Sequence, residues 1–282
     1  VKIPYKECEI EDANARKETY GKDSRKPKTV ELTTIENDLI RRDFKINSIA
    51  SSLNNKNFGL LVDPFNGLID INNGLIDTPT DPDTTFIDDP LRMLRAIRFA
   101  AQLEFKIHPR IMESIKKNKE RIKIISQERI KDEIIKILKT NKPSIAFYFL
   151  KELDFLKLIF PELDVMSGVD IINNMGHKDV FIHTLEVVDN AAKLSNKMEI
   201  RFAALVHDIA KPPTKRFDKK KGWTFHGHEE IGRRMLVKVA RRMKLSNELR
   251  DYLMVLTKLH LRPIALAKKE ISDSAVRRVM FE

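Results

Sequence analysis

The chain has 282 residues, 52 Lys+Arg against 41 Asp+Glu (formal charge +11), and 42% hydrophobic residues. Apolar runs recur from Ile46 to Phe281, which excludes disorder over most of the length and leaves room for one large domain or two ordinary ones. A single cysteine, Cys8, excludes a disulfide framework and points to a reducing, cytoplasmic setting, and no run approaches the ~18 apolar residues of a membrane span.

In chain order, residues 1 to about 75 read as mixed structure. Strands are expected at Lys6 to Asn14 and Gly59 to Asp63, a helix at Ile35 to Leu53, and turns at Pro64-Phe65-Asn66-Gly67 and Asn72-Asn73-Gly74. From Asp88 onward the period is helical. Asp89-Pro90 opens a helix to about Leu103 with Leu91, Leu94, Ile97 and Ala101 on one face. Ser126 caps a second with Ile130, Ile134, Ile137 and Leu138 as its stripe, and Pro143 and Pro161 punctuate the next two. The expected fold is mainly α: a partial α/β head over 1–80, an all-helical neck over 81–166 and a helical domain over 167–282. The start at Val1 and the stop at Glu282, inside an apolar-periodic run, read as the ends of a fragment.

The positive charge is concentrated. Lys211 to Lys244 holds twelve Lys/Arg against three acids (Asp218, Glu229, Glu230), and Lys116–Lys123 and Arg262–Arg278 are further basic clusters. Such a surface attracts polyphosphate, nucleic acid above all. Aromatics make up only 7% and read as separate from the basic runs, so backbone contact with a folded RNA is expected rather than base stacking.

Two constellations carry chemistry. Arg41-Arg42-Asp43-Phe44-Lys45-Ile46-Asn47 places guanidinium forks, which suit phosphate oxygens, beside Asp and Asn, which suit ribose hydroxyls. In Asp88-Asp89-Pro90-Leu91-Arg92, Asp89 and Arg92 share a helix face and can present a hydrogen-bonding edge to a base. The second constellation is His183, His207-Asp208 and His226-Gly227-His228. Imidazoles and a carboxylate from successive helices can converge on one divalent ion.

Arg42-Asp43-Phe44-x-x-Asn47-x-x-Ala50, Asp63-Pro64-Phe65-x-Gly67 and Asp89-Pro90-Leu91-Arg92-Met93-Leu94-Arg95-Ala96-Ile97-Arg98 together resemble the bacterial tRNA nucleotidyltransferase / poly(A) polymerase family, class II. The segment Ala15 to Pro27 is similar to the end of that family's catalytic head. The resemblance implies nucleotide binding by Arg42, Asp43, Asn47, Asp89, Arg92 and Arg95, with Asp89 and Arg92 as an amino-acid template for C and A and with Asp88 where the family usually has Glu. It implies bracing of the template by Arg129 and Glu133, and Glu11 as the third catalytic acid. The intact protein would use Mg2+, CTP and ATP to add or repair the 3′-terminal CCA of tRNA. No Gly-rich turn and no strand-borne Asp-x-Asp precede Glu9, so this chain is expected to be an inactive fragment.

The order His…His-Asp-x-x-Lys…His resembles the HD metal-dependent phosphohydrolase domain. That implies Mg2+ or a divalent transition metal held by His183, His207, Asp208 and His228, with Asp273 as a later ligand, Asp251 as the weaker choice, and His260 either nearby or capping its helix. Rival readings are an ATP-only poly(A) polymerase, an HD phosphohydrolase with an RNA-binding head remnant, and a non-catalytic tRNA-binding module. No oligomeric state follows from the residues.

Overall fold

A computed structural model describes residues 2–6, 8–11, 13–21, 24–267 and 272–281. They form two compact units, 1–124 and 125–282. Most of the structure is helical, as the apolar periodicity predicts.

The first unit opens with antiparallel hairpins β1 (Lys2–Tyr5) with β2 (Cys8–Glu11) and β3 (Arg16–Gly21) with β4 (Ser24–Leu32). Helix α1 (Ile35–Ile40) follows, with Thr34 as its N-cap. The expected helix to Leu53 is corrected here, for the chain breaks at Asp43-Phe44. Asp43 Oδ1 accepts the Phe44 N–H at 3.0 Å, a local bond that competes with helix continuation. Phe44 turns extended (φ −134°, ψ 149°) and is fully buried, edge-on to Phe99 at 5.7 Å. A 3-10 turn (Lys45–Asn47) and a short ladder of β5 (Ala50–Ser51) with β6 (Leu61–Val62) complete the segment.

The turn at Asp63–Gly67 forms as its residues predict: both Asp63 oxygens accept backbone N–H groups, of Gly67 at 2.7 Å and Leu68 at 2.9 Å. Gly67, the first residue of α2 (Gly67–Asn73), has no substitute, because a Cβ there would lie 2.2 Å from the Lys45 carbonyl oxygen. Strand β7 (Leu75–Ile76) pairs in parallel with β8 (Lys106–Ile107), across a connection made of α3 (Pro82–Asp88) and α4 (Leu91–Leu103). Leu91, Leu94, Ile97 and Ala101 are buried as predicted, and so are Met93, Ala96 and Ala100, so α4 is the centre of this unit's core. At roughly 1.5–3 kcal/mol per buried large side chain, α4 anchors whatever its polar residues present. Helix α5 (Pro109–Asn118) and a 3-10 segment (Lys119–Ile124) close the unit.

The second unit comprises α6 (Gln127–Leu138), α7 (Ser144–Glu152), α8 (Phe155–Ile159) and α9 (Pro161–Asp164), then α10 (Val180–Leu194), α11 (Met198–Val206), α12 (Lys211–Thr214), α13 (His228–Arg242), α14 (Asn247–Leu259), α15 (Arg262–Leu266) and α16 (Asp273–Phe281). Ile130, Ile134, Ile137 and Leu138 are buried as their spacing predicts. The all-helical expectation needs one addition. Two hairpins interrupt the helices, β9 (Ile171–Ile172) with β10 (Met175–Gly176), and β11 (Arg216–Asp218) with β12 (Gly222–Thr224). The first turns on Asn173-Asn174, both left-handed (φ 50° and 61°), the two-residue geometry that matches strand twist. No helix among the described residues is long and apolar enough to cross a membrane.

Candidate functional site

In the first unit the arginine-rich segment and α4 meet through one carboxylate. Asp43, 7% exposed, takes Arg95 Nε on Oδ2 at 2.6 Å, with Arg95 Nη2 at 2.5 Å. Its Oδ1 accepts Asn47 Nδ2 at 3.1 Å as well as the Phe44 N–H. Every lone pair of Asp43 is thus directed at a protein donor. Asp43, the residue expected to hold a ribose hydroxyl, here bonds Asn47 and Arg95. Arg92 Nη2 donates to the Arg41 carbonyl at 2.6 Å, and Asp89 Oδ1 accepts the Leu91 N–H at 3.2 Å, so Asp89 caps α4 although the helix begins one residue later than predicted. Arg42 pairs with Asp38 at 3.2 Å. Burial alone would raise the Asp38 carboxyl, but bonds from Arg41, the Arg16 N–H and Arg42 hold it below its usual range. Burial also pushes the Asp88 carboxyl up, against the pull of Arg92 and Arg121.

Glu11 ends β2 opposite Lys2, and its side chain lies outside the described residues. Arg129 and Glu133 belong to α6 of the second unit. Glu133 is buried and accepts Lys136 Nζ at 2.9 Å.

The second cluster is built at helix ends. His207 follows the last turn of α11, His260 follows α14, and His228 begins α13. Each Nδ1 bonds a carbonyl three residues back: Ala204 for His207 at 2.8 Å, Phe225 for His228 at 2.7 Å and Thr257 for His260 at 2.7 Å. A carbonyl only accepts, so each Nδ1 carries a proton, and in the neutral ring each Nε2 presents a lone pair. Those lone pairs converge on Asp208, 1% exposed. His207 Nε2 is 3.1 Å and His183 Nε2 3.9 Å from Oδ2, while His228 Nε2 is 3.3 Å and His260 Nε2 3.5 Å from Oδ1.

Two features suit this arrangement to a bound cation. His228 and His260 bring their Nε2 atoms to 3.2 Å, where two lone pairs repel unless a proton or metal lies between them. Neither Asp208 oxygen receives a well-directed hydrogen bond, although Lys211 Nζ is 2.6 Å from Oδ2. A buried carboxylate in that state is costly. Burial alone would raise the Asp208 carboxyl, but in the state where the Nε2 atoms of His207, His228 and His260 carry protons these rings drive it far below the ordinary range, so the group is ionised. Burial holds His183 below its usual value despite Asp208, whereas at His228 the Asp208 contact outweighs burial and raises it. The donor set fits a divalent ion of borderline softness, in two groups (His183, His207, Asp208 and Asp208, His228, His260) that share Asp208 through different oxygens.

The structure brings together four of the five residues proposed as metal ligands: His183, His207, Asp208 and His228. Asp273 is corrected: it opens α16, is exposed, and is in neither group, because the cluster is already filled by a residue from the end of α14. Asp251 is exposed and paired with Arg250 at 2.7 Å. His226 is exposed as well. His260, which sequence reasoning left undecided, belongs to the second group, and its signal was its place at a helix end, which matches that of His207. A cavity of about 620 Å³ opens onto the cluster, walled largely by apolar side chains such as Val187, Ala203, Leu256, Pro263 and Ile264.

A head segment carrying a guanidinium–carboxylate device on α4, followed by a helical domain with a His/Asp cluster, defines a nucleotidyltransferase head joined to an HD domain. Family models match in the same order: "Poly A polymerase head domain" over residues 1–77, "Probable RNA and SrmB- binding site of polymerase A" over 104–166, and "HD domain" over 180–278. The chain belongs to the tRNA nucleotidyltransferase and poly(A) polymerase family, in a form that carries an HD domain. It is 38% identical over 235 residues to the Multifunctional CCA protein of Psychromonas ingrahamii and 36% over 234 residues to that of Shewanella frigidimarina. Both alignments take in 80% of this chain and 54% of the relative, so the chain spans about half the length of the curated relatives it matches. A solved "tRNA-processing enzyme (apo form 2)" aligns at TM-score 0.60 and 23% identity over 88% of this chain and 64% of its own. The Thermotoga maritima CCA-adding enzyme complexed with tRNA_CCA aligns at 0.54 and 22%, over 88% and 57%. At these identities the likeness concerns the fold.

Proposed function

We propose that the chain is part of a cytoplasmic tRNA nucleotidyltransferase that adds or repairs the 3′-terminal CCA using CTP, ATP and Mg2+. The observation that carries this is the 38% identity to a Multifunctional CCA protein over 80% of the chain. On this reading residues 1–80 are the later part of the head, 81–166 the neck and 167–282 the HD domain. Arg42, Asp43, Asn47, Asp89, Arg92 and Arg95 meet the nucleotide, and the Asp43–Arg95 pair also orients its neighbours. Arg129 and Glu133 brace the template, and Glu11 supplies a carboxylate to the polymerase metals. The test is incorporation of labelled CTP and ATP into tRNA lacking CCA by the gene product, expressed with its coding sequence on both sides of this chain. Incorporation of ATP alone would move the reading to a poly(A) polymerase.

A second activity is supported by the convergent Nε2 atoms around Asp208. The HD domain would hydrolyse a phosphomonoester or a 2′,3′-cyclic phosphate. A divalent ion held by His183, His207, Asp208, His228 and His260 supplies an activated water when bound. Lys211, beside Asp208, offers positive charge to the phosphate oxygens, and the apolar cavity wall excludes bulk water from one side. Phosphate release from a monoester, or opening of a cyclic phosphate to the monoester, that needs a divalent ion and is lost in His207→Ala would support this reading, and hydrolysis that survives chelation would overturn it.

A further inference from the structure

The segment Lys215-Arg216-Phe217-Asp218-Lys219-Lys220-Lys221-Gly222-Trp223-Thr224-Phe225 interleaves aromatic and basic residues, contrary to the expectation that the two are separate. Pairing of β11 with β12 sets Phe217 opposite Trp223 and Arg216 opposite Thr224, so the aromatic pair shares one face. That face is locked. Trp223 Nε1 donates to the Met175 carbonyl at 3.0 Å, His177 lies edge-on to Trp223 at 5.4 Å and to Phe225 at 5.8 Å, and Phe217 to Trp223 at 5.3 Å. The Lys215 charge is also committed, to Asp170 and over the Trp223 ring at 5.4 Å.

The tip differs. Lys219, Lys220 and Lys221 are exposed, and among the described residues none of the three has an acidic partner. Asp218, the one acid of the segment, accepts the backbone N–H groups of Lys220 and Lys221 at 2.8 Å each, so its carboxylate shapes the turn instead of neutralising the lysine side chains. Both ends of the hairpin run into the His/Asp cluster. Lys211, which pairs with Asp208, lies 5.7 Å over the Phe225 ring, and His228 follows directly after His226-Gly227. Three strand residues carry the tip about 10 Å from its base, close to the distance over which charges still act through physiological salt.

We propose that this hairpin is a phosphate-tracking arm of the HD site, so that the site takes the phosphorylated 3′ end of a single-stranded RNA rather than a free mononucleotide. The inference rests on the hydrolase reading of that site. Adjacent ammonium groups suit successive backbone phosphates without reading bases. A 2′,3′-cyclic phosphate requires a ribose, which makes the strand RNA. In the step served, water adds to phosphorus, one ribose P–O bond breaks, and the proton passes to the departing ribose oxygen, leaving a phosphomonoester.

The test uses the full chain and a short fluorescent RNA ending in a 2′,3′-cyclic phosphate, titrated in EDTA at several salt concentrations. Neutralising the tip (Lys219→Gln, Lys220→Gln, Lys221→Gln) should weaken binding about tenfold and make the log–log salt slope shallower by about 2, as loss of three single-strand phosphate contacts requires. The triple Lys→Arg variant should restore both, which separates charge from folding. With a divalent ion added, the preference for the RNA over a mononucleotide bearing the same phosphate, read as the ratio of kcat/KM values, should fall about tenfold in the Gln variant. Unchanged affinity and slope would overturn the arm, as would tighter capture of an acidic peptide of equal charge. Turnover of neither substrate would overturn the hydrolase reading, and the binding titration would still decide the arm.

Discussion

Two buried carboxylates, Asp43 in the first unit and Asp208 in the second, are 7% and 1% exposed, yet their surroundings are opposite in kind. Asp43 has a partner for each lone pair, all donors supplied by its own unit. Asp208 is ringed by imidazoles whose free nitrogens are themselves acceptors, and its oxygens lack well-directed donors. A satisfied carboxylate is a bracket that holds neighbouring groups in place, whereas an unsatisfied one among lone pairs is a socket for a cation.

The comparison breaks most sharply at Asp208. Asp208→Ala should lower divalent-ion affinity by more than the roughly 10–100-fold that outer-shell losses cost, because the shared ligand itself is gone. Isothermal titration with Mn2+ or Co2+ reads it, and unchanged affinity would mean that the cluster is not a metal centre. Next comes Arg95→Ala, which leaves Asp43 buried without its guanidinium. Breaking a buried pair costs about 3–5 kcal/mol, and with the Arg95 side chain 32% exposed we expect less than that, about 2–3 kcal/mol, seen as a drop in urea midpoint. A change under about 0.5 kcal/mol would show that the bracket carries no load.

Gly232→Ala has a smaller expected effect. A Cβ there meets Thr257 Cγ2 at 2.9 Å, and Thr257 supplies the carbonyl that orients His260. Overpacking costs of about 1–3 kcal/mol are partly offset by the roughly 1 kcal/mol helix preference of Ala over Gly, so stability should fall by about 0–2 kcal/mol. Metal affinity should fall several-fold as α13 and α14 separate, and equal affinity in both proteins would remove Gly232 from the positioning of His260. The weakest effect concerns pH. Burial would raise the Asp77 carboxyl, but Arg110 at 2.7 Å and Lys45 at 2.7 Å hold it below its usual value. A depressed carboxyl stabilises above its unfolded pKa, and that contribution is lost as pH falls through the folded pKa. Arg110→Ala should therefore flatten the acid limb of a melting-temperature profile below about pH 4, and an unchanged limb would place the acid sensitivity elsewhere.

Much of this was legible along the chain because it is local. The apolar stripes of α4 and α6, the Asp63–Gly67 turn and the order of the two constellations all follow from spacing and turn chemistry. The break at Asp43-Phe44 was not, since nothing in Ile35–Leu53 itself reveals that Phe44 is taken by Phe99 and Asp43 by Arg95. The basic hairpin was missed for a related reason: its aromatic residues make contacts with His177 and Met175, which are distant in sequence.

The sequence by itself determined the modules, their order, the helical texture and four residues of the His/Asp cluster, because periodicity and motif spacing are properties of neighbours along the chain. Only the tertiary structure decided that Asp43 is bonded by Asn47 and Arg95, that His260 rather than Asp273 joins the cluster, and that three lysines stand exposed at the tip of a hairpin beside it. Those outcomes depend on which donors and acceptors meet across elements, and a buried polar group is defined by what faces it.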